Sequence, residues 1–281
     1  MCDMQHSEFQ WQTLDGLQVF AQSWRPKSAI KAVVCLVHGQ GEHSGRYSHV
    51  ATVLNQAGYV LLGLDLRGNG KSEGKRGHAS SYETLMDDID YLIDETAMRF
   101  PGAPRFLYGH CLGGNLVLNY VVRRKPQLAG VIATSPLLSL YIKPNKGKVA
   151  MARTIAKVWP SLCSTTGVDV AMLSRDPDVL QTLKNDPLYH NSMSAGMFIG
   201  VMQSAGWLMQ HANQFPLPLL IMHGGADAIT SVTASYRLAQ IAGPNCTFKL
   251  WEGFYHELHN EPEKQEVFKT IVAWLEAHAT K

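Results

Sequence analysis

Residues 105–121 join a short apolar strand directly to a helical pattern with no loop between them: Arg105-Phe106-Leu107-Tyr108-Gly109-His110-Cys111-Leu112-Gly113-Gly114-Asn115, then Leu116, Val117, Leu118, Tyr120 and Val121. Such a junction demands a very tight turn, with the tip residue held exposed and strained and a glycine on each side to leave room. Gly109 and Gly113 supply that room, in the spacing of the nucleophile-elbow pattern G-x-S-x-G, with cysteine at the tip. The residues that follow are apolar enough for a helix buried under a sheet. A free cysteine is most often a small buried hydrophobe, so a chemical role for Cys111 has to be supported elsewhere in the chain.

Short apolar runs, rich in branched residues, alternate with longer helical patterns. The runs are 32–37, 59–64, 105–108, 130–134, 217–222 and 247–251. This alternation predicts a mainly parallel sheet with helices on both faces. In such a sheet ligands bind beyond the carboxyl ends of the strands, which places His38, Asp65, Cys111, Ser135, Asp227 and His256 near one rim. At the start of the chain, 9–13 and 17–21 alternate around Asp15-Gly16, as in an antiparallel hairpin at the sheet edge. The alternation stops between 137 and 213. Helical periodicity at 149–159 and 197–209 predicts an inserted helical cap there, with 1–136 and 214–281 forming the core. Its apolar residues Ile155, Trp159, Phe198, Ile199, Met202 and Trp207 are candidates for a substrate pocket facing the rim.

A chain of 281 residues can bury a full core without staples. The formal charge of +2, with 17% charged residues, leaves no electrostatic footprint for nucleic acid. Five cysteines with no C-x-x-C pair argue against a zinc site and a disulfide framework, and suit a reducing compartment. The stretch Met1–Glu8 has neither a basic nor an apolar leader region, and no run is long enough to span a bilayer. A soluble, cytoplasmic protein with neither metal nor cofactor is expected.

Acyl transfer through a nucleophile needs a histidine base, an acid to orient it, and donors for the oxyanion. On this strand-elbow-helix plan the chain order is nucleophile, acid, histidine. Asp227 follows the buried run 217–222 and His256 follows 247–251, so all three members occur in that order, with His223 and His259 as nearby histidines of no assigned role. The backbone amides of Leu112, after the nucleophile, and Gln40, in the loop after 32–37, are the candidate oxyanion donors. The Gln40 side chain is a further possible donor, or a group that narrows the pocket.

The phrases His38-Gly39-Gln40-Gly41-Glu42-His43-Ser44-Gly45-Arg46-Tyr47, Asp65-Leu66-Arg67-Gly68-Asn69-Gly70-Lys71-Ser72, Gly109-His110-Cys111-Leu112-Gly113-Gly114-Asn115 and Tyr255-His256-Glu257-Leu258-His259-Asn260-Glu261 closely resemble the monoacylglycerol lipases and lysophospholipase-like hydrolases. So do Leu173-Ser174-Arg175-Asp176 and Asn185-Asp186-Pro187-Leu188. The resemblance implies an α/β-hydrolase fold and a carboxylic ester hydrolase acting on fatty-acyl, monoacylglycerol-like esters. It also implies a Cys111, Asp227, His256 triad and oxyanion amides at Gln40 and Leu112; transient contact of the cap with a membrane surface stays open. The family carries serine where Cys111 stands, so the cysteine is either a natural variant or a Ser→Cys substitution. A thiolate beside a histidine can attack esters, and the thioester so formed keeps a Cys-dependent acyltransferase or thioesterase as a second reading. A hydrolase-fold receptor with little turnover is a third.

Overall fold

The hairpin and the apolar runs come together in one eight-stranded sheet. In the computed structural model, which describes residues 4–279, β1 (Met4–Gln12) and β2 (Gln18–Pro26) form the antiparallel hairpin, with Phe9 opposite Ala21 and Gly16 at φ +87° in the turn. Then follow β3 (Ala32–Val37), α1 (Ser48–Gln56), β4 (Tyr59–Leu64), α2 (Tyr82–Arg99), β5 (Arg105–His110), α3 (Leu112–Arg124) and β6 (Gly130–Thr134). The next segment carries α4 (Lys146–Val158), β7 (Cys163–Thr165), α5 (Pro177–Lys184), β8 (Ser192–Ser194) and α6 (Ala195–His211). The chain closes with β9 (Leu219–Gly224), α7 (Val232–Ala242), β10 (Cys246–Trp251) and α8 (Lys264–His278). The strand order is β1-β2-β4-β3-β5-β6-β9-β10, parallel throughout except where β2 pairs with β1 and β4.

The inner strands are continuous apolar runs because both of their faces are buried. Along β3, Val33, Cys35 and Val37 enter the core under α2 and α3, while Val34 and Leu36 enter the core under α1 and α8. β2 is not an edge strand, as the hairpin reading had it, because it pairs with β4 and leaves β1 alone at the edge. Cys2 lies outside the described residues, and the four described cysteines are free.

The segment between β6 and β9 adds no strand to the large sheet; β7 and β8 pair only with each other. Neither this small sheet nor α5 was anticipated. The segment is also less separate from the core than an expected cap at 137–213. α6 packs against α3 as well as α4, and its Val201 and Leu208 are buried within the same core cluster as β3 and β5.

Candidate active site

The elbow forms as its glycines require. Cys111 sits between β5 and α3 with φ 51° and ψ −112°, a conformation strained for any residue but glycine. Neighbouring backbone enforces it. A Cβ on Gly113 would stand 1.9 Å from the Val37 carbonyl oxygen, and one on Gly109 would stand 2.3 Å from the Gly113 carbonyl oxygen. Cys111 itself is anchored through its amide, which donates to the Thr134 carbonyl at 3.0 Å.

Leu112 opens α3, so its amide is among the first of the helix, which have no intrahelical acceptor. The loop after β3 passes directly over the elbow, since a Cβ on Gly39 would lie 3.1 Å from the Cys111 Cβ. The Gln40 side chain is not free to serve as a donor in the site: its Nε2 donates to the Ser192 carbonyl at 2.7 Å. That bond ties the loop to β8 instead.

Asp227 and His256 come from the loops after β9 and β10. His256 Nδ1 lies 2.8 Å from Asp227 Oδ2. Burial alone would depress the His256 pKa, but the Asp227 carboxylate and the adjacent Cys111 sulfur raise it well above its ordinary value. Burial likewise acts to raise the Asp227 pKa; the His256 charge and the hydrogen bonds from His223 and His256 overcome it and hold the carboxyl well below the usual range. The His256 ring is thus held between the Asp227 carboxylate on one side and the Cys111 sulfur on the other.

Several residues without an assigned role complete this arrangement. His223 Nε2 donates to the same Asp227 oxygen at 3.0 Å, and Thr230 Oγ1 lies 2.7 Å from it. The other oxygen accepts from the Ile229 and Thr230 amides at 2.7 and 3.0 Å. A histidine four residues before the acid, at the end of the same strand, was the available signal for His223. Ser135, at φ 44°, donates from Oγ to the His256 carbonyl at 2.7 Å. Glu42 accepts the Gly39 amide at 2.6 Å, and Arg46 bridges Glu42 and Glu257 at 2.6 and 2.7 Å. The loop over the elbow and the loop holding His256 are therefore linked through one buried guanidinium. His38 and Asp65 belong to the scaffold: His38 Nε2 accepts the Leu66 amide at 2.9 Å, and Asp65 Oδ1 accepts the Ser44 amide at 2.8 Å.

A cavity of about 550 Å³ opens onto Cys111 and His256. Ile155, Phe198 and Met202 line it, but three other pocket candidates do not. Ile199 faces a separate groove beside α2, Trp159 is 59% exposed, and Trp207 stacks on Arg123 at 3.9 Å. Among the described residues no group of three or more His, Cys, Asp and Glu is placed to hold a metal, and no helix is long and apolar enough to cross a membrane.

Comparison with known proteins places this geometry in a family. A sequence model of the serine aminopeptidase S33 family matches residues 28–263. The chain is 32% identical to the monoacylglycerol lipase of Mycolicibacterium smegmatis, over 99% of this chain and the whole of that one. It is 38% identical to an abhydrolase domain-containing protein of Dictyostelium discoideum over 94% of its own length, and spans only 28% of that protein. The crystal structure of Paleococcus ferrophilus monoacylglycerol lipase superposes with a TM-score of 0.83 at 34% identity, covering 98% of this chain and 99% of that one. The chain belongs to the serine aminopeptidase S33 family of α/β-hydrolases, as a monoacylglycerol lipase-like carboxylic ester hydrolase.

Proposed function

We propose that Cys111 attacks the carbonyl of a fatty-acyl, monoacylglycerol-like ester and that the reaction passes through a covalent acyl-enzyme. The observation that carries this reading is the strained Cys111 lining the cavity together with a histidine fixed by a carboxylate. His256 takes the thiol proton, and the Gln40 and Leu112 amides receive the oxyanion. His256 then protonates the departing alkoxide and activates the water that releases the acid. Ile155, Phe198 and Met202 give the acyl chain an apolar wall. The segment 137–213 acts as the cap over it. Exposed Ile142, Met151 and Trp159, on a stretch bearing Lys143, Lys146 and Lys148, suit transient contact with a membrane surface. A reducing cytoplasm would keep Cys111 a thiol.

The test is intact-mass analysis after mixing with 4-nitrophenyl octanoate, followed by peptide mapping. An octanoyl group on Cys111 is expected. Turnover without an adduct, or an adduct confined to another cysteine, overturns the assignment. Because sulfur is displaced from a site otherwise matching a serine hydrolase, and misplacement on the order of 1 Å costs about 100-fold, Cys111→Ser should raise steady-state ester hydrolysis. A site adapted to sulfur would show equal or lower activity instead.

A further inference from the structure

We infer that the acyl donors this site accepts best are thioesters whose thiol carries phosphate, with Cys111 exchanging the acyl group sulfur for sulfur. The inference rests on Cys111 being the nucleophile. It starts from how the tetrahedral adduct collapses. With an oxoester, the adduct holds a thiolate and an alkoxide as rival leaving groups. Thiols have pKa values of about 8.5, whereas an alkoxide leaves about as poorly as hydroxide, whose parent water sits near 15.7. The adduct therefore tends to expel the cysteine and return to substrate unless His256 protonates the alkoxide first. With a thioester, both candidates are sulfur and the forward path carries no such handicap.

The step balances without another reactant. His256 takes the Cys111 proton, an Sγ–carbon bond forms, the carbon–sulfur bond to the carrier breaks, and the carrier thiolate takes the proton from His256. Water, activated by neutral His256, then releases the carboxylic acid and restores the thiol. His256 is placed for each transfer, fixed through Nδ1 by Asp227 at 2.8 Å with its ring lining the cavity.

The cavity mouth supplies the second half of the inference. Its solvent-exposed lining residues include Lys148 and Met151 of α4, and Ser164, Thr165 and Thr166 at and just after β7. No aspartate or glutamate occurs from 96 to 168. Within that stretch, Lys143, Lys146 and Lys148 cluster at the start of α4, exposed and with no ion-pair partner among the described residues. An apolar chamber lined by a sulfur nucleophile, with Lys148 and three hydroxyl side chains on its exposed lining and Lys143 and Lys146 close by in sequence, matches an acyl chain linked through sulfur to a phosphate-bearing carrier.

Three octanoyl donors test this by single-turnover formation of the Cys111 adduct: octanoyl-coenzyme A, the octanoyl thioester of N-acetylcysteamine, and ethyl octanoate. A slope of about 0.4, the size found in thiol exchange, across about seven pKa units corresponds to roughly 10³-fold. His256 offsets part of that, so the neutral thioester should exceed the ethyl ester by about 30-fold or more. In Cys111→Ser that ratio should fall at least about tenfold, because an alkoxide nucleophile no longer competes as the better leaving group. At low salt the coenzyme A thioester should exceed the neutral thioester by about tenfold, the size expected from a few exposed ion pairs. High salt should erase the difference, and Lys146→Glu/Lys148→Glu should reduce it. Equal acylation by thioester and ethyl ester overturns the inference while leaving the Cys111 nucleophile intact if 4-nitrophenyl octanoate still labels it. Equal rates for the charged and neutral thioesters at low salt overturn the phosphate-bearing carrier. No adduct from any donor, the nitrophenyl ester included, removes the nucleophile assignment beneath both.

Discussion

A single oxygen, Asp227 Oδ2, receives His256, His223 and Thr230 at 2.8, 3.0 and 2.7 Å. His223 can fill this role because its Nε2 faces a carboxylate oxygen that can only accept, while Ser235 Oγ, 2.8 Å from its Nδ1, is a hydroxyl able to donate there. The donated bond disperses charge on the acid and so limits how strongly Asp227 holds the proton on His256. His223→Leu should therefore make Asp227 more basic and raise the His256 pKa further. Neutral His256, which the proposed deacylation needs, would then appear only at higher pH. The expected outcome is an upward shift in the midpoint of the deacylation pH profile, with a loss of about 1.5–3 kcal/mol in stability for a lost bond to a charged group. His223→Gln, which keeps a donor, should recover part of both. A stability loss with an unmoved midpoint would reduce His223 to packing. That Cys111, Asp227 and His256 meet at one rim could be read from three residues following strands in the right order. His223 had only its spacing of four residues from the acid to mark it, and Ser135 had nothing, because its role depends on a contact across the rim: nothing in the local sequence around Ser135 marks a serine at φ 44° bonded to the His256 carbonyl.

At the scale of elements, α6 decides which side chains line the cavity and so, under the proposed reaction, which would meet the acyl group. Phe198, Val201 and Met202 line the cavity, while Ile199, Gly200 and Gln203 face the groove beside α2. Met202→Glu should therefore cut the advantage of long acyl chains over acetate, since each methylene contributes about 0.8 kcal/mol, or a few-fold in specificity constant. Ile199→Glu should leave the chain-length dependence unchanged. A series of 4-nitrophenyl esters from acetate to laurate reads both, and identical profiles for the two variants would show that α6 does not form the acyl wall. The sequence of α6 is apolar on nearly every side, so periodicity alone cannot choose its inward face. The core strands were legible for the opposite reason: burial on both sides makes each a continuous run. The phrases resembling the lipase family acquire a physical meaning only in three dimensions. Ser174 donates to the Asn260 carbonyl at 2.7 Å, Arg175 pairs with Glu261, and His43 meets Asp186 at 2.8 Å. These contacts tie the inserted segment to the His256 loop and to the loop over the elbow.

Across the whole molecule, buried histidines couple the site to stability. His110 packs 4.9 Å from the rings of both His256 and His259, and His259 stacks on Tyr47 at 4.6 Å with neither ring nitrogen bonded. Burial, then the neighbouring His256 charge, lowers the His110 pKa to about 4; burial, then His110, lowers that of His259 well below its ordinary value. Both histidines stay neutral in the folded state while the unfolded chain takes up protons below about pH 6.5, so each removes stability as pH falls from there toward its folded pKa. The slope is about 1.4 kcal/mol per pH unit for each such group. His256 behaves oppositely. Its raised folded pKa contributes stability that is fully present below about pH 6.5 and is lost only as pH rises through that folded value, so it adds no slope on the acid side. Denaturant unfolding at a series of pH values from 7 to 5 should show stability falling with pH. His259→Phe, which keeps a ring against Tyr47, should flatten the fall by about one proton's worth, roughly 1.4 kcal/mol per pH unit. An unchanged slope in that variant would mean that His259 is protonated in the folded protein, and that the acid loss arises from His110 or from the other histidines whose pKa burial lowers, such as His38, His49 and His190.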